Sequence, residues 1–312
     1  MKRLLIDTDT ATDDALALLI ALKCEFAKVE AITIVAGNVD FEQEVENALY
    51  TLELSGVNYY VPVFKGCRRP LLRNLVKAEE VHGKDGMGES YFPKAKQRAE
   101  DLSALQALLD YSKRFEGELI IVALGPLTNL ALASILDPNF PKRIKELYVM
   151  GGAVEAKGNI TPVSEYNFFV DPEAAKIVLN SNFNLTLVDW NLCLKYGIIR
   201  EEEYREIVNL NTKGSDFYFK INRVIKEYSK KMGLEGLTHP DALTMCVALY
   251  PDIVKRKELK YVDVDLCEGL SRGMSIVDHN NILGKKGNAY ICYEVDGKRF
   301  KDILMDTLRR IR

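Results

Sequence analysis

The sequence lacks several features that would fix a function class at once. Its six cysteines (Cys24, Cys67, Cys193, Cys246, Cys267 and Cys292) include no C-x-x-C pair, which excludes zinc ribbons and thioredoxin-like redox motifs. Thiols so scattered are expected to be reduced and mostly buried, as in a cytoplasmic protein. No apolar run reaches the roughly 18 residues of a membrane span. The opening Met1-Lys2-Arg3-Leu4-Leu5-Ile6-Asp7 meets an acid after three apolar residues, short of the roughly 7–15 that a signal peptide needs. Nor is there a basic excess. With 42 Lys and Arg against 45 Asp and Glu, the net charge is −3, so no nucleic-acid or membrane partner is expected.

What is present suits a soluble globular chain of 312 residues, 47% apolar and 28% charged. Short runs read as buried strands: Leu4–Ile6, Val29–Val35, Leu119–Leu124, Leu147–Met150 and Leu185–Val188. Helical patterns separate them at Asp13–Leu22, Phe41–Leu54, Leu102–Phe115 and Pro172–Leu179. Strand–helix alternation with such long crossovers predicts an α/β fold, a mostly parallel open sheet flanked by helices. A helical insertion is expected near residues 200–250, with helices at Glu201–Leu210, Asp216–Met232 and Asp241–Tyr250. Strands resume at Leu259–Val264, Met274–Val277 and Ala289–Val295, before a basic final helix. Without repeats or low-complexity linkers, residues 1–312 read as one domain.

The strongest local signal is Asp7-Thr8-Asp9-Thr10-Ala11-Thr12-Asp13-Asp14-Ala15, between the first strand and first helix. In an open α/β sheet that junction lies at the carboxyl edge, where ligands bind. Carboxylates so close raise one another's pKa unless a cation intervenes, and a helix N-terminus supplies only about half a positive charge. Oxygen-only donors indicate Ca²⁺ or Mg²⁺ rather than zinc. Helix capping by Thr12 or Asp13 accounts for one or two of these acids, not for four.

Other polar residues fall at strand ends: Asn38 after Gly37, and Thr128 and Asn129 within Leu124-Gly125-Pro126-Leu127-Thr128-Asn129. Asp241 opens an apolar helix, where a dipole-complementing acid is an equally ordinary reading. Val81-His82-Gly83-Lys84-Asp85-Gly86-Met87-Gly88 has the composition of a mobile loop that closes over ligands, although surface loops in general look similar. Met150-Gly151-Gly152 precedes Glu165-Tyr166-Asn167, and Asp171-Pro172 reads as a helix cap followed by proline at the first turn.

Together these residues resemble the nucleoside hydrolases, or nucleoside N-ribohydrolases, across nearly the whole chain. The resemblance rests on D-T-D-x-x-x-D-D-A, Gly37-Asn38, His82-Gly83, Gly125-Pro126-Leu127-Thr128-Asn129, Met150-Gly151-Gly152, Glu165-Tyr166-Asn167 with Asp171-Pro172, and Asp241. It implies a Rossmann-like fold and a Ca²⁺-dependent glycosidase that releases base and ribose, usually as a homodimer or homotetramer. By motif, Asp9, Asp14, Asp241 and the main-chain carbonyl of Thr128 correspond to Ca²⁺ ligands, with Asp9 also the general base. Asp13, Asn38, Met150, Glu165, Asn167 and Asp241 correspond to ribose contacts, and Asp7 to a residue orienting the ligands from behind. His82 and His239 are the leaving-group candidates. His82, Tyr218, Asn222, Lys226, Tyr228 and His239 are the base-pocket candidates, although a solvated lysine- and tyrosine-bearing helix reads the same way.

Two departures stand out. Thr10-Ala11 replace the frequent Pro-Gly, and Pro240 stands immediately before Asp241, where relatives carry His or Trp. Proline biases His239 toward extended geometry. Trp190, the only tryptophan, reads as core after the strand Leu185–Val188. Loss of the His-Asp pair tilts the expectation toward purine nucleosides, with uridine and cytidine left open. Two competing readings are a haloacid-dehalogenase-type phosphatase with Asp7 as nucleophile, and a non-catalytic Ca²⁺-dependent nucleoside- or sugar-binding protein.

Overall fold

Leu4, Leu5 and Ile6 are all fully buried, and successive strand side chains face opposite ways, so the first strand must be covered on both faces. In the computed structural model, which describes residues 1–312, this strand (β1, Lys2–Thr8) lies inside an eight-stranded sheet. Its neighbours include β2 (Ala27–Ile34), β3 (Val63–Lys65), β4 (Leu119–Ala123), β5 (Glu146–Met150) and β6 (Leu185–Val188). The order is β3-β2-β1-β4-β5-β6, followed by Ala289–Val295 and, at the edge, Val254–Lys260. Every pairing is parallel except that of the edge strand. One core contains Leu4 and Ile6, and a second, on the opposite face, contains Leu5.

The chain winds outward from β1 through β2 to β3 and then crosses back to β4. That reversal leaves a crevice beyond the carboxyl ends of β1 and β4. The expected fold class is therefore what forms. The helix Thr12–Lys23 leaves β1 and packs against Pro240–Leu249, bringing the two acid-bearing helix starts together from distant parts of the chain.

Two expectations needed correction, and several short elements had no signal in the sequence. The helix expected over Asp216–Met232 is two, Lys213–Ile221 and Arg223–Lys231, broken at Asn222, whose amide donates to the Tyr218 carbonyl. The strand expected over Leu259–Val264 divides at Tyr261. Val254–Lys260 joins the main sheet, while Val262–Val264 pairs with Ser275–Val277. β3 and the short helices Glu79–His82, Tyr166–Val170 and Trp190–Tyr196 are too short for periodicity to reveal. All six cysteines are free, and no helix is long and apolar enough to cross a membrane.

Candidate active site

The loops leaving β1, β2, β4, β5 and β6 surround a cavity of about 220 Å³. Asp9, Asp13 and Asp241 line it, and Asp14 lies beside them: one carboxylate oxygen each from Asp13, Asp14 and Asp241 falls within 4.8 Å of the others. Asp14, third in its helix, reaches back to the N-cap. Its carboxylate accepts from the Ala11 N–H at 3.0 Å and the Thr8 hydroxyl at 2.5 Å, which turns it back toward the strand end. Neither Thr12 nor Asp13 serves as N-cap; that position falls to Ala11. Asn38 donates to the Asp9 carbonyl at 3.1 Å and to Asp14 at 3.4 Å, tying the loop after β2 to the acids.

Asp9 depends on two glycines. A Cβ at Gly37 would stand 2.0 Å from Asp9 Oδ2, and one at Gly125 would stand 2.5 Å from Asp9 Oδ1. The carboxylate therefore fits only where both neighbouring loops carry no side chain. Gly37→Ala is expected to leave the fold intact while lowering kcat/KM by about 100-fold, the scale of roughly 1 Å of misplacement. Unchanged kcat/KM at unchanged Tm would show that the position of Asp9 is not critical.

No buried base neutralises these acids. Burial first, and then the neighbouring carboxylates, push Asp9, Asp13 and Asp241 well above the usual carboxylate range. Asp14 is raised by burial against the hydrogen bonds it accepts. Carboxylate oxygens of Asp13, Asp14 and Asp241 converge with no cationic side chain among them, so each disfavours the charge of the others. Asp9 Oδ2 is buried without any partner. An oxygen-only cluster that must hold protons or a cation fits a hard divalent ion.

The other expected site residues divide clearly. Met150, Glu165 and Asn167 line the cavity. Asn167 Nδ2 donates to the carbonyls of Leu124 at 2.8 Å and Met150 at 3.2 Å. Glu165 accepts from the N–H groups of Gly152, Asn167 and Phe168, which uses three of its roughly four acceptor positions. Burial pushes its carboxyl to about 7. Asp7 sits behind the cavity, accepting from Thr33 at 2.5 Å and Asn129 at 2.8 Å, and burial pushes it to about 7. Enclosed in this way, it cannot serve as the exposed nucleophile of a phosphatase.

Thr128 is not where the motif led us to expect it. It opens the helix Thr128–Leu136, its hydroxyl donates to Asp171, and a helix's first carbonyl points along the axis into the next turn. The residue of this loop that reaches the cavity is Leu124. Asp171 does cap the helix Pro172–Leu179, as expected.

Among the base-pocket candidates, His82 and Tyr228 line the cavity. The others are turned elsewhere. His239 Nε2 is hydrogen-bonded to the Tyr218 hydroxyl at 2.9 Å, and both residues are fully buried off the cavity wall. Pro240 is the reason: it starts the next helix and leaves His239 in non-helical geometry at the N-cap, one residue too early to face inward. Asn222 is buried at the helix break, and Lys226 lies over the Tyr204 ring and pairs with Glu201. Burial holds His82 down at about 4 and His239 at about 3, so both imidazoles are neutral at pH 7.

The loop after His82 is pinned, contrary to the mobile closure its glycines suggested. Asp85 accepts from the N–H groups of Met87, Glu89 and Tyr91, and Asn47 holds the Asp85 carbonyl. Sequence reasoning also missed Trp190 and Ile225 as cavity walls, while Val81, from the glycine-rich loop, does line the cavity. Trp190 is 8% exposed, so it is core and wall at once. Asp189, which caps its helix, was the available signal.

Strand order, acids and cavity now stand together, and comparison with known proteins agrees with them. Residues 4–302 match the family model for the inosine-uridine preferring nucleoside hydrolases. The chain belongs to this family. It is therefore an enzyme, a hydrolase acting on N-glycosyl compounds. It is 32% identical to the inosine-uridine preferring nucleoside hydrolase of Leishmania major, over 99% of this chain and 98% of that one. It is 30% identical to the pyrimidine-specific ribonucleoside hydrolase RihB of Escherichia coli, over 99% and 97%. Its structure resembles the purine-preferring ribonucleoside hydrolase of Gardnerella vaginalis, with a TM-score of 0.91, 29% identity, and 99% of each chain covered.

Proposed function

We propose that this nucleoside hydrolase cleaves the N-glycosidic bond of ribonucleosides, preferring purines, with Ca²⁺ held by Asp14 and Asp241 between Asp9 and Asp13. The observation that carries the reading is the buried, unpartnered Oδ2 of Asp9 in the cavity wall, beside the convergent carboxylates of Asp13, Asp14 and Asp241. When bound, the cation supplies positive charge that anchors the ribose diol and acidifies a water. Asp9 would take a proton from the attacking water as the oxygen of that water bonds to C1′. The C1′–N bond breaks with its electron pair going to the base, which accepts a hydrogen bond from the neutral His82 N–H and takes its proton from water. The surrounding carboxylates stabilise the oxocarbenium-like charge on the sugar.

Asp13, Asn38, Glu165 and Asn167, with Met150 against them, hold the ribose. Asp7 steadies the strand end from behind. The carbonyl ligand assigned to Thr128 passes to Leu124, whose carbonyl is already fixed by Asn167. Trp190, Tyr228, Ile225 and Val81 form an apolar and aromatic wall suited to a large flat base, which is what supports the purine preference. The relatives differ in the bases they are named for. The deciding test is kcat/KM for ribose release from inosine, adenosine, guanosine, uridine and cytidine; larger values for uridine and cytidine refute the preference.

His82 is the one histidine in the cavity wall and, in this reading, donates an N–H to the departing base. His82→Ala is expected to lower kcat on inosine at least about 100-fold. On p-nitrophenyl riboside, whose leaving group needs no proton, it should change little. His239→Ala should affect both substrates equally and lower stability by about 1–3 kcal/mol through the lost Tyr218 partner. A selective inosine defect in His239→Ala, with none in His82→Ala, would reverse the assignment.

A further inference from the structure

The helix Phe41–Ser55 is amphipathic, with Phe41, Val45, Ala48, Leu49 and Leu52 in the core, yet two polar residues on it are also buried. Glu44 is 0% exposed and Asn47 4% exposed. Spaced i, i+3, they lie on one face of the helix, one turn apart. Both aim at loops of the site. Glu44 Oε1 accepts from the Gly37 N–H at 3.0 Å and the Val39 N–H at 3.1 Å, gripping the turn on either side of Asn38. Asn47 Nδ2 donates to the Thr10 carbonyl at 3.0 Å and the Asp85 carbonyl at 2.9 Å. The Asn38 carbonyl in turn accepts from the Ala78 N–H at 2.7 Å, just before the turn that carries His82.

The turn held by Glu44 has little freedom to shift. Gly37 approaches Asp9 so closely that a Cβ could not fit, and Asn38 bonds to Asp9 and Asp14. A displacement of a few tenths of an ångström in this turn therefore reaches both acids. A buried carboxylic group is a costly device for holding two N–H groups, and its second oxygen, Oε2, has no partner at all. Packing alone would be served better by an apolar side chain, so the grip on the turn is what this residue contributes.

We infer that Glu44 is a positioning residue for the hydrolysis, fixing the Gly37–Val39 turn and through it Asp9 and Asn38, with Asn47 anchoring the neighbouring loops from the same helix. The inference rests on the proposed ribonucleoside hydrolysis, and the wild-type enzyme tests that reading separately: release of no ribose from any nucleoside would sink the reaction itself.

The experiment compares Glu44→Gln with Glu44→Met. Glutamine keeps an Oε1 acceptor, whereas methionine keeps the length and volume and suits the apolar surroundings but accepts no hydrogen bond of comparable strength. Glu44→Gln should stay within about threefold of wild type. Glu44→Met should lose about 100-fold in kcat with a much smaller change in KM. Hydrogen exchange on the metal-free protein gives a readout apart from activity. The Gly37 and Val39 amides should be protected in wild type and Glu44→Gln and exchange faster in Glu44→Met. Wild-type kcat in a folded Glu44→Met, equal losses in both variants, or retained protection in Glu44→Met would overturn the inference. If Glu44→Met does not fold, wild-type exchange decides: protection of both amides supports the grip, and loop-like exchange refutes it.

Discussion

Asp9→Asn should lower kcat for ribose release by about 10²–10⁴-fold, the usual contribution of a positioned general base. Asparagine has nearly the same shape, so it fits the space left open by Gly37 and Gly125. It cannot take a proton. It also removes one of several like charges whose burial and mutual repulsion raise every pKa in the cluster. The metal-free variant should thus be at least as stable as wild type. Loss of turnover with Tm unchanged or higher separates a chemical role from a structural one. A well-folded Asp9→Asn with near-normal kcat would remove Asp9 from the mechanism.

Chelation should have the second large effect. Without a cation, burial and mutual repulsion favour the protonated forms of the clustered acids. A chelator is expected to abolish ribose release, and added Ca²⁺ to restore it. Stability should follow a definite pH course. Asp7 and Glu165, pushed by burial to about 7, and Glu44, pushed to about 8, bind protons more tightly folded than unfolded. Between about pH 4 and about pH 8 the metal-free fold should therefore lose stability as pH rises. A cation at about 100 times its Kd adds ~2.7 kcal/mol, or roughly 5 °C in Tm, and more at pH 8 than at pH 5 because it competes with protons on the clustered Asp9, Asp13, Asp14 and Asp241, which burial holds above the usual carboxylate range. Full activity in excess chelator, or a Tm indifferent to calcium at pH 8, would argue against a metal site.

Much of this was legible in the sequence, for reasons that can be named. Buried strands such as Leu119–Ala123 are short, wholly apolar and bounded by polar residues, so they stand out without alignment. The acids at Asp7, Asp9, Asp13 and Asp14 were visible because buried strand ends rarely carry charge. The failures were those of direction. His239 has the right chemistry one residue before a proline, and the backbone turns it onto Tyr218. Thr128 belongs to the right loop, but helix geometry directs its carbonyl away, and Leu124 takes the cavity position. Glu44 looked like one more acid on a helix with three others, because only the packing of Val45, Ala48 and Leu49 shows which way that residue faces. The readings of a phosphatase and of a non-catalytic binder gave way to the enclosure of Asp7 and to family membership.

The central claim is that acids from the first strand's end and from the helix at Pro240 jointly hold one divalent ion beneath a ribose. Its most direct test is a crystal structure with calcium and an iminoribitol-type ribose mimic, with anomalous data to locate the ion. The account predicts a single calcium contacting Asp14 and Asp241, with Asp9 and the mimic's diol beside it. Calcium bound elsewhere, or a mimic seated away from these carboxylates, would contradict it.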